Sequence, residues 1–399
     1  MSSHEGTVPI RGTVAPGFEP VGEAFTENFT DRGERGAACA VYHGGRKVVD
    51  LWGGYRDRAR TDPWERDTLV LVFSATKGLA AMAVAHARSA GLFGYDDRVA
   101  RQWPAFAAAG KRNVTIRELL AHRAGVSAPA HELTAGEIAD RESLVAMLAE
   151  KAPEWEPGQR HGYHAFTLGW YESELIRRTD PEGRTLGEYF EAEIAEPNDI
   201  EFYIGLPTGI PDERIAELDS VSPLRVVRDL PRGMLRAFLN PWSLTARSMD
   251  CFDISSPVEL NSPAYRRVEI PAGNGIGRVR DIAKAYGELA TADSGLGIGR
   301  ETREELAAPA TTPPGGPRDV VLKADAAYSL GYSKPVEGFQ FGSDPAAFGT
   351  PGAGGSFAFA DPDVEVGFAY APNRMGFHIR DDPRERALRE AVYDCLDAG

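Results

Sequence analysis

The sequence predicts an α/β fold of the α+β kind, in which strands from both chain ends form one mainly antiparallel sheet with flanking helices. Hairpin patterns near each end and helical periodicity between them carry this prediction. The 399 residues are 42% hydrophobic, enough for a large buried core. We expect one domain over 1–399, with a sheet lobe from 18–75 and 300–399 and a mostly helical lobe with long loops inserted over 76–299.

The N-terminal part of the sheet lobe begins with a helix. Apolar residues recur every four positions within 17–31, which is the spacing of an amphipathic helix. Residues 37–42 and 47–52 are two apolar runs around the turn 43–46, whose adjacent glycines favour a tight connection. We therefore predict a helix followed by a β-hairpin.

The C-terminal part mirrors this arrangement. Apolar runs at 356–360 and 365–370 flank a short Asp-Pro-Asp turn at 361–363, again typical of a hairpin. A helical pattern follows over 383–397, with its apolar residues on one side. The region between the two hairpins, about 76–300, is mostly helical by period. One sheet built from the two chain ends is the simplest architecture that these patterns allow.

The charge balance excludes one class of partner. Acidic residues outnumber basic residues by 59 to 44, which gives a net charge of −15, and no basic cluster offsets it. Such a surface repels phosphate backbones, so we do not expect nucleic-acid binding. No run approaches the ~18 apolar residues of a membrane span, and the polar N-terminus lacks the apolar core of a signal peptide. We expect no membrane association and a cytoplasmic location.

Cysteine and histidine spacing does not indicate a metal site. Cys39, Cys251 and Cys395 are far apart, and such a sparse, odd set is typical of reduced core residues. His161-x-x-His164 has ligand-like spacing but no acidic or cysteine partner in a known pattern. The glycine-rich stretches match no phosphate-binding or dinucleotide-binding motif. We expect neither a metal nor a cofactor.

The first candidate for chemistry is a Ser-x-x-Lys pair. An apolar run over 69–73 ends at Ser74, where an Ala-rich pattern of the buried-helix type begins. Residues three apart share a helix face, so Lys77 should lie beside Ser74. Burial and the helix N-terminus should lower the pKa of Lys77, which could then take the serine proton. In the alternative interpretation Ser74 only caps the helix and Lys77 reaches the surface.

The second candidate is Tyr163. Residues 155–165 begin with Trp-Glu-Pro-Gly and continue with His, Tyr and His, which indicates a loop entering a helix. Tyr163 could act as a phenolic acid or base if nearby cations such as Lys77 lower its pKa from about 10. In the alternative interpretation it is a loop tyrosine that packs on Trp155 or Trp170.

The third candidate is a glycine-rich stretch over 348–356 that runs into a strand. Glycines at a strand start let a substrate approach the backbone and can aim N–H groups at an oxyanion. In the alternative interpretation the stretch is a flexible loop. The candidate oxyanion and substrate-binding residues are Gly352, Ala353, Gly354, Thr350 and His161.

The three motifs together resemble those of a known family. Ser74-x-x-Lys77, then a Pro-Gly-x-x-x-x-Tyr motif ending at Tyr163, then a glycine-rich strand near the C-terminus occur in the order of the serine β-lactamase-like, penicillin-binding superfamily. The likeness is to its class C-like branch and to family VIII-type carboxylesterases. Segments 114–125 and 270–275 also look familiar from that branch, and the resemblance spans about 18–395.

The resemblance implies a β-lactamase-like fold and a role for each matched residue. Ser74 would be acylated, Lys77 would help to deprotonate it, and Tyr163 would carry the proton to the leaving group and later activate water. The N–H groups of Ser74 and of a residue near Ala353 would form the oxyanion hole. Which of Lys77 and Tyr163 is the acylation base stays open.

Two departures from the family pattern bear on the substrate. Ala165 stands where the family's β-lactamases and peptidases have Asn, and Thr350-Pro351-Gly352 stands where they have Lys-Thr-Gly or His-Thr-Gly. Both changes remove polar groups that would hold penicillin, so we favour a carboxylesterase acting on small, uncharged ester or acyl substrates. The alternatives are an acyltransferase using the same three residues, a weak β-lactamase or D-Ala peptidase, and a ligand-binding relative that turns over slowly or not at all.

Overall fold

The computed structural model describes residues 8–220, 232–292, 295–378 and 380–398. The strands are β1 Ile10–Val14, β2 Gly36–His43, β3 Arg46–Gly54, β4 Val70–Leu71, β5 Phe202–Tyr203, β6 Ile276–Gly277, β7 Tyr328–Ser329, β8 Tyr332–Ser333, β9 Phe348–Pro351, β10 Phe357–Asp361 and β11 Val366–Pro372. The helices are α1 Glu19–Thr30, α2 Thr76–Ser89, α3 Val99–Gln102, α4 Ile116–Leu120, α5 Ala135–Ala139, α6 Arg141–Glu150, α7 Thr167–Thr179, α8 Leu186–Phe190, α9 Arg232–Phe238, α10 Leu244–Met249, α11 Pro263–Arg267, α12 Val279–Ala290, α13 Arg300–Ala307 and α14 Pro383–Ala398. Short 3₁₀ turns include Phe73–Ala75 and Ala353–Gly355.

One antiparallel sheet forms the centre of the molecule. Its strand order is β1-β3-β2-β11-β10-β9-β8-β7. The N-terminal hairpin β2–β3 and the C-terminal hairpin β10–β11 meet where β2 pairs with β11, from His43 opposite Val366 to Ala37 opposite Pro372. The predicted sheet from both chain ends is confirmed. The first hairpin turns at Gly44 and Gly45 as predicted, whereas the second turns at 362–365 instead of 361–363, because Asp361 still pairs with Val366. The edge strand β1 was not predicted.

Helices cover both faces of this sheet. On one face, α1 and α14 pack together over aromatic residues such as Phe357 and Phe359. On the other face, α12 packs on β2, β10 and β11, where small residues alternate with those aromatics. A Cβ atom on Gly367 would lie 2.1 Å from the backbone nitrogen of Gly287, so these two glycines let α12 approach the sheet closely.

Helix α2 is buried along almost its whole length, and α7, α8 and α13 pack against it. A small sheet of order β4-β6-β5 ties this region together, because Leu71 pairs with Ile276 and Tyr203 pairs with the same residue. Strand β4, which leads towards α2, is therefore held in place by its pairing with β6. Among the described residues, the structure has no helix long and apolar enough to cross a membrane.

Candidate active site

Ser74 lies at the end of β4, in a tight turn that leads into α2. Phe73, just before it, has a left-handed backbone (φ 48°), a conformation that persists only where the surroundings hold it. The surroundings here are two hydrogen bonds to Val72, which donates its N–H to Gly275 (3.0 Å) and accepts from the Ser356 hydroxyl (2.8 Å). The position of Ser74 is therefore fixed by hydrogen bonds with the residue before β6 and with the residue before β10.

Lys77 is buried beside Ser74, at the start of α2. Its side chain is only 1% exposed, which contradicts the surface interpretation of the Ser-x-x-Lys pair. The Nζ atom lies 3.1 Å from the Ser74 hydroxyl, 2.5 Å from the carbonyl oxygen of Ala165 and 2.8 Å from that of Ala272. Serine and lysine are thus in direct hydrogen-bond contact.

These three contacts fit both protonation states of the amine, because an ammonium group can donate to all three oxygens, and a neutral amine keeps one lone pair for the serine. A neutral amine has two N–H donors and one lone pair, and the two carbonyl oxygens take both donors. The lone pair of Lys77 then faces the Ser74 hydroxyl and can accept its proton. Burial lowers the pKa of Lys77 to about 7, as predicted from the sequence, and the Glu172 carboxyl group opposes this shift. Near neutral pH a large share of Lys77 is a base.

Tyr163 faces the same serine from the loop before α7. Its ring centroid is 5.0 Å from that of His122 and 6.1 Å from that of Tyr328, and the Nζ atom of Lys77 lies 4.8 Å from it. Burial raises the pKa of Tyr163, although a hydrogen bond with Ser74 opposes this. The predicted lowering by nearby cations is wrong, because burial is the largest cause of the shift and the Asp319 carboxyl group raises the pKa further. Tyr163 is a neutral phenol that can donate a proton.

The histidines of this loop hold its backbone. His164 donates from Nδ1 to a backbone carbonyl and accepts the Val126 N–H at Nε2, and its own N–H donates to Nδ1 of His122. His161 donates from Nε2 to the Pro317 carbonyl (2.7 Å). Both ring nitrogens of His164 are therefore bound within the protein. Over the described ranges, no group of three or more His, Cys, Asp or Glu residues could hold a metal ion.

The glycine-rich stretch supplies the opposite wall. The turn Ala353–Gly355 separates β9 from β10, and Ala353 and Gly354 line the same cavity as Ser74 and Tyr163. In the described part of the chain, the N–H groups of Ser74 and Ala353 are not used in any hydrogen bond. Both are donors that an oxyanion could use.

Gly352 supports this wall without lining the cavity. A Cβ atom there would lie 2.3 Å from the Val72 carbonyl oxygen and 2.2 Å from the Ser356 hydroxyl, so only glycine fits this approach. The close contact brings the Ala353 turn next to the segment that carries Ser74.

Two other candidate residues lie outside the cavity lining. Thr350 is buried on β9, with its hydroxyl group near Gly78 and Tyr286 rather than in the cavity. His161 is buried against the Tyr328 ring, 5.3 Å between centroids, and its Nε2 is bound to a backbone carbonyl. The structure therefore gives both residues a packing position.

The cavity in front of Ser74 is small and mostly apolar. Its volume is about 170 Å³, below the ~300–1,000 Å³ of most small-molecule sites. The apolar walls include Met249, Leu322, Val336, Phe339, Met375 and Phe377. Among the polar lining groups, Tyr328 donates to Asp319 (2.8 Å), and the Lys334 amine is bound to three backbone carbonyls. Arg380 donates to the Asp325 carbonyl at the cavity edge.

Sequence reasoning missed several groups of the site. The carbonyls of Ala165 and Ala272 carry no residue-specific signal, since every residue has one. Ala272 does lie in the segment 270–275 that was noted for its resemblance. Glu172 has a sequence signal, because it is an acidic residue within the apolar pattern of α7.

The comparisons with known proteins agree with this geometry. Residues 22–393 match the family model described as Beta-lactamase, and the chain belongs to this family. Esterase/beta-lactamase LipL from Mycobacterium tuberculosis is 34% identical over 379 residues, which cover 94% of this chain and 86% of LipL.

The fold is also similar to solved structures of related proteins. A crystal structure of a family VIII carboxylesterase has a TM-score of 0.86 and 36% identity, and the match covers 97% of this chain and 100% of that chain. A penicillin-binding protein homolog from Caulobacter crescentus has a TM-score of 0.83 and 35% identity, with the same coverage. The predicted β-lactamase-like fold and family are confirmed.

Proposed function

We propose that this protein is a serine hydrolase, specifically a carboxylesterase that cleaves small, uncharged esters through an acyl-enzyme on Ser74. The observation that carries the proposal is the 3.1 Å contact between the Ser74 hydroxyl and the buried amine of Lys77. A lysine with a pKa of about 7 is well suited to remove a proton near neutral pH. The names of LipL and of the family VIII carboxylesterase support an esterase.

The reaction follows from the placement of each group. The lone pair of Lys77 takes the Ser74 proton while the serine oxygen attacks the ester carbonyl carbon. The negative charge that develops on the carbonyl oxygen faces the N–H groups of Ser74 and Ala353. The C–O bond to the alcohol then breaks, and Tyr163 passes a proton to the departing oxygen. In the second half, water attacks the acyl-serine and gives a proton to the Tyr163 phenolate, and Lys77 returns its proton to Ser74 as the serine oxygen leaves.

The cavity supports the choice of substrate. A volume of about 170 Å³ with mostly apolar walls accommodates a short acyl group. The ammonium group of Lys334 does not offer a free charge, because its three donors bind the carbonyls of Leu306, Ala307 and Ala346. A neutral ester therefore loses less on leaving water than a charged one.

The test is hydrolysis of p-nitrophenyl butyrate by the wild type and by Ser74→Ala, with nitrocefin assayed in parallel. Ser127→Ala is the matched control, because Ser127 is also buried but bonds to Ser248 outside the cavity. We expect ester turnover that disappears in Ser74→Ala and persists in Ser127→Ala. An ester with a terminal carboxylate should be cleaved more slowly than the butyrate.

Three results would contradict the proposal. Folded wild-type protein without ester turnover would reject the esterase function and favour a ligand-binding relative. Nitrocefin cleavage faster than ester cleavage would favour the β-lactamase activity that the name of LipL includes. Added alcohol that captures most of the acyl group would favour acyl transfer over hydrolysis.

A further inference from the structure

A loop over 317–328 forms one wall of the cavity in front of Ser74. The side chains that this loop contributes to the lining are those of Leu322, Ala326, Ala327 and Tyr328. The hairpin 336–339, the turn Ala353–Gly355 and the segment 375–378 supply other walls. Each part of a bound ester must therefore face one of these walls.

Asp319 holds the 317–328 loop in one shape. Its side chain is fully buried and accepts three hydrogen bonds. Two come from the N–H groups of Val321 and Leu322, at 2.7 Å each, and the third comes from the Tyr328 hydroxyl, at 2.8 Å. A wall that is fixed in this way can select a substrate by size, because it does not yield to a larger group.

The same loop is joined to the segment that carries Tyr163. The Val320 N–H donates to the His161 carbonyl (3.1 Å), and Nε2 of His161 donates to the Pro317 carbonyl (2.7 Å). The Tyr328 ring stacks on the Tyr163 ring, with 6.1 Å between the centroids and 24° between the planes. The wall and the proton donor are thus held in one unit.

Two of the other walls lack this connection to Tyr163. The hairpin 336–339 and the segment 375–378 have no hydrogen bond to residues 159–165 in the part of the chain that the structure describes. The 317–328 loop is therefore the wall that adjoins the proton donor.

The geometry of the tetrahedral intermediate assigns the alcohol to this side. The reacting carbon carries the Ser74 oxygen, the oxyanion, the alcohol oxygen and the acyl chain. The oxyanion faces the N–H groups of Ser74 and Ala353, and the alcohol oxygen faces Tyr163, which gives it a proton. The carbon chain of the alcohol continues from that oxygen, so it extends along the wall beside Tyr163. The acyl chain takes the remaining direction.

We propose that the 317–328 loop is the alcohol subsite and that Leu322 limits the length of the alcohol. This inference rests on the proposed function and on the roles of Ser74 and Tyr163 in it. Leu322 is half-buried, and the bond from its N–H to Asp319 fixes the backbone that carries its side chain at the cavity. In a cavity of about 170 Å³, this side chain takes space that a longer alcohol needs. The enzyme therefore selects esters of short, uncharged alcohols.

The test compares two isomeric esters, hexyl acetate and ethyl hexanoate, with ethyl acetate as the reference. Each isomer adds the same number of carbons to ethyl acetate, the first on the alcohol and the second on the acyl chain. Leu322→Ala should raise the kcat/KM of hexyl acetate relative to ethyl acetate by about 10-fold, because a few methylene groups in an apolar pocket change selectivity by that order. The ratio of ethyl hexanoate to ethyl acetate should stay at its wild-type value. Acid release in a pH-stat measures all three rates.

Val320→Ala is the matched control. Val320 is another half-buried aliphatic residue of the same loop, but its side chain faces Gly162 and does not line the cavity. A Cβ atom on Gly162 would lie 2.7 Å from Cγ2 of Val320. A general loosening of the loop would change both variants, whereas new space in the alcohol subsite changes only Leu322→Ala. Both ester ratios should therefore keep their wild-type values in Val320→Ala.

The outcomes separate this inference from the proposed function. Unchanged ratios in Leu322→Ala, or a change confined to ethyl hexanoate, would overturn the alcohol subsite while leaving the carboxylesterase function in place. An equal change in Val320→Ala would overturn the role of Leu322. If Leu322→Ala does not fold, Leu322→Phe takes its place and should lower the ratio of hexyl acetate to ethyl acetate. Folded wild-type protein that cleaves none of the three esters would reject the carboxylesterase function and this inference with it.

Discussion

The Nζ atom of Lys77 donates a hydrogen bond of 2.8 Å to the carbonyl oxygen of Ala272, a residue 195 positions later in the chain. The loop that carries Ala272 is held by Asn274, whose side chain accepts the Ile270 N–H and donates to the Tyr265 carbonyl. In the neutral form of Lys77 this carbonyl takes one of the two N–H donors and so helps to aim the lone pair at Ser74. The base is therefore oriented by a loop distant in sequence.

Ser74→Ala should abolish ester hydrolysis while leaving the fold intact. The hydroxyl group is half-buried at a cavity and its removal leaves only a small space, so the melting temperature should change little. Steady-state kinetics and thermal unfolding measured on the same preparation check both parts. Retained activity would show that another group is the nucleophile.

Lys77→Met should lower kcat/KM by about 10²–10⁴-fold, because the serine hydroxyl keeps its proton. Lys111→Met is a matched control, since Lys111 is also buried and its amine also binds three backbone carbonyls, those of Ala108, Ala149 and Lys151. We expect the control to lose stability but to keep the kcat/KM of its folded fraction. Equal losses of kcat/KM in both variants would make Lys77 a structural residue.

The rate should rise with pH through the pKa of Lys77. Burial depresses this pKa from 10.5 to about 7, so the amine is protonated and inactive below about pH 7 and becomes a base above it. A profile of kcat/KM between pH 5 and 9 should therefore show an acidic limb near 7. A flat profile across this range would exclude Lys77 as the titrating base.

Tyr163→Phe should lower kcat about 10²-fold or more with little change in KM. The ring and its contacts with His122 and Tyr328 remain, whereas the proton donor is lost. Saturation kinetics with p-nitrophenyl butyrate separate the two constants. A change in KM alone would make Tyr163 a binding residue.

Gly352→Ala should reduce activity through the backbone. The new methyl group would lie 2.3 Å from the Val72 carbonyl oxygen, and the resulting shift would move the Ala353 turn away from Ser74. Gly209→Ala is the control, because a Cβ atom there meets nothing within 4 Å. We expect a lower kcat and melting temperature in the first variant and wild-type values in the second. Wild-type kinetics in Gly352→Ala would show that this turn does not position the oxyanion donors.

Periodicity and motif order were enough to predict the sheet, its flanking helices α1 and α14, and the contact between Ser74 and Lys77. These features depend on residue spacing, which the sequence displays directly. Edge strand β1 was missed because Ile10–Val14 is mostly exposed and lacks an apolar run. The orientation of Thr350 was missed because neighbouring strand residues face opposite sides, and motif order does not fix which side faces the cavity.

The pKa of Tyr163 was predicted with the wrong sign for a related reason. The expected contact with Lys77 indicates a nearby charge, but it does not show how completely the loop and the Tyr328 ring exclude water. The same limit applies to Glu172, whose isolation from hydrogen-bond partners depends on packing between α2, α7 and the turn at Gly331. Desolvation is a property of the assembled fold.

The pairing of β2 with β11 has a consequence for biosynthesis. Glu34, just before β2, accepts a hydrogen bond from Tyr370 in β11, 336 positions later. A growing chain on the ribosome therefore exposes the unpaired edge of β2 until almost the entire polypeptide has been translated. Such distant pairing slows folding, and unpaired strand edges associate readily with other chains. Messages truncated before β11 should accordingly yield aggregation-prone products that depend on chaperones.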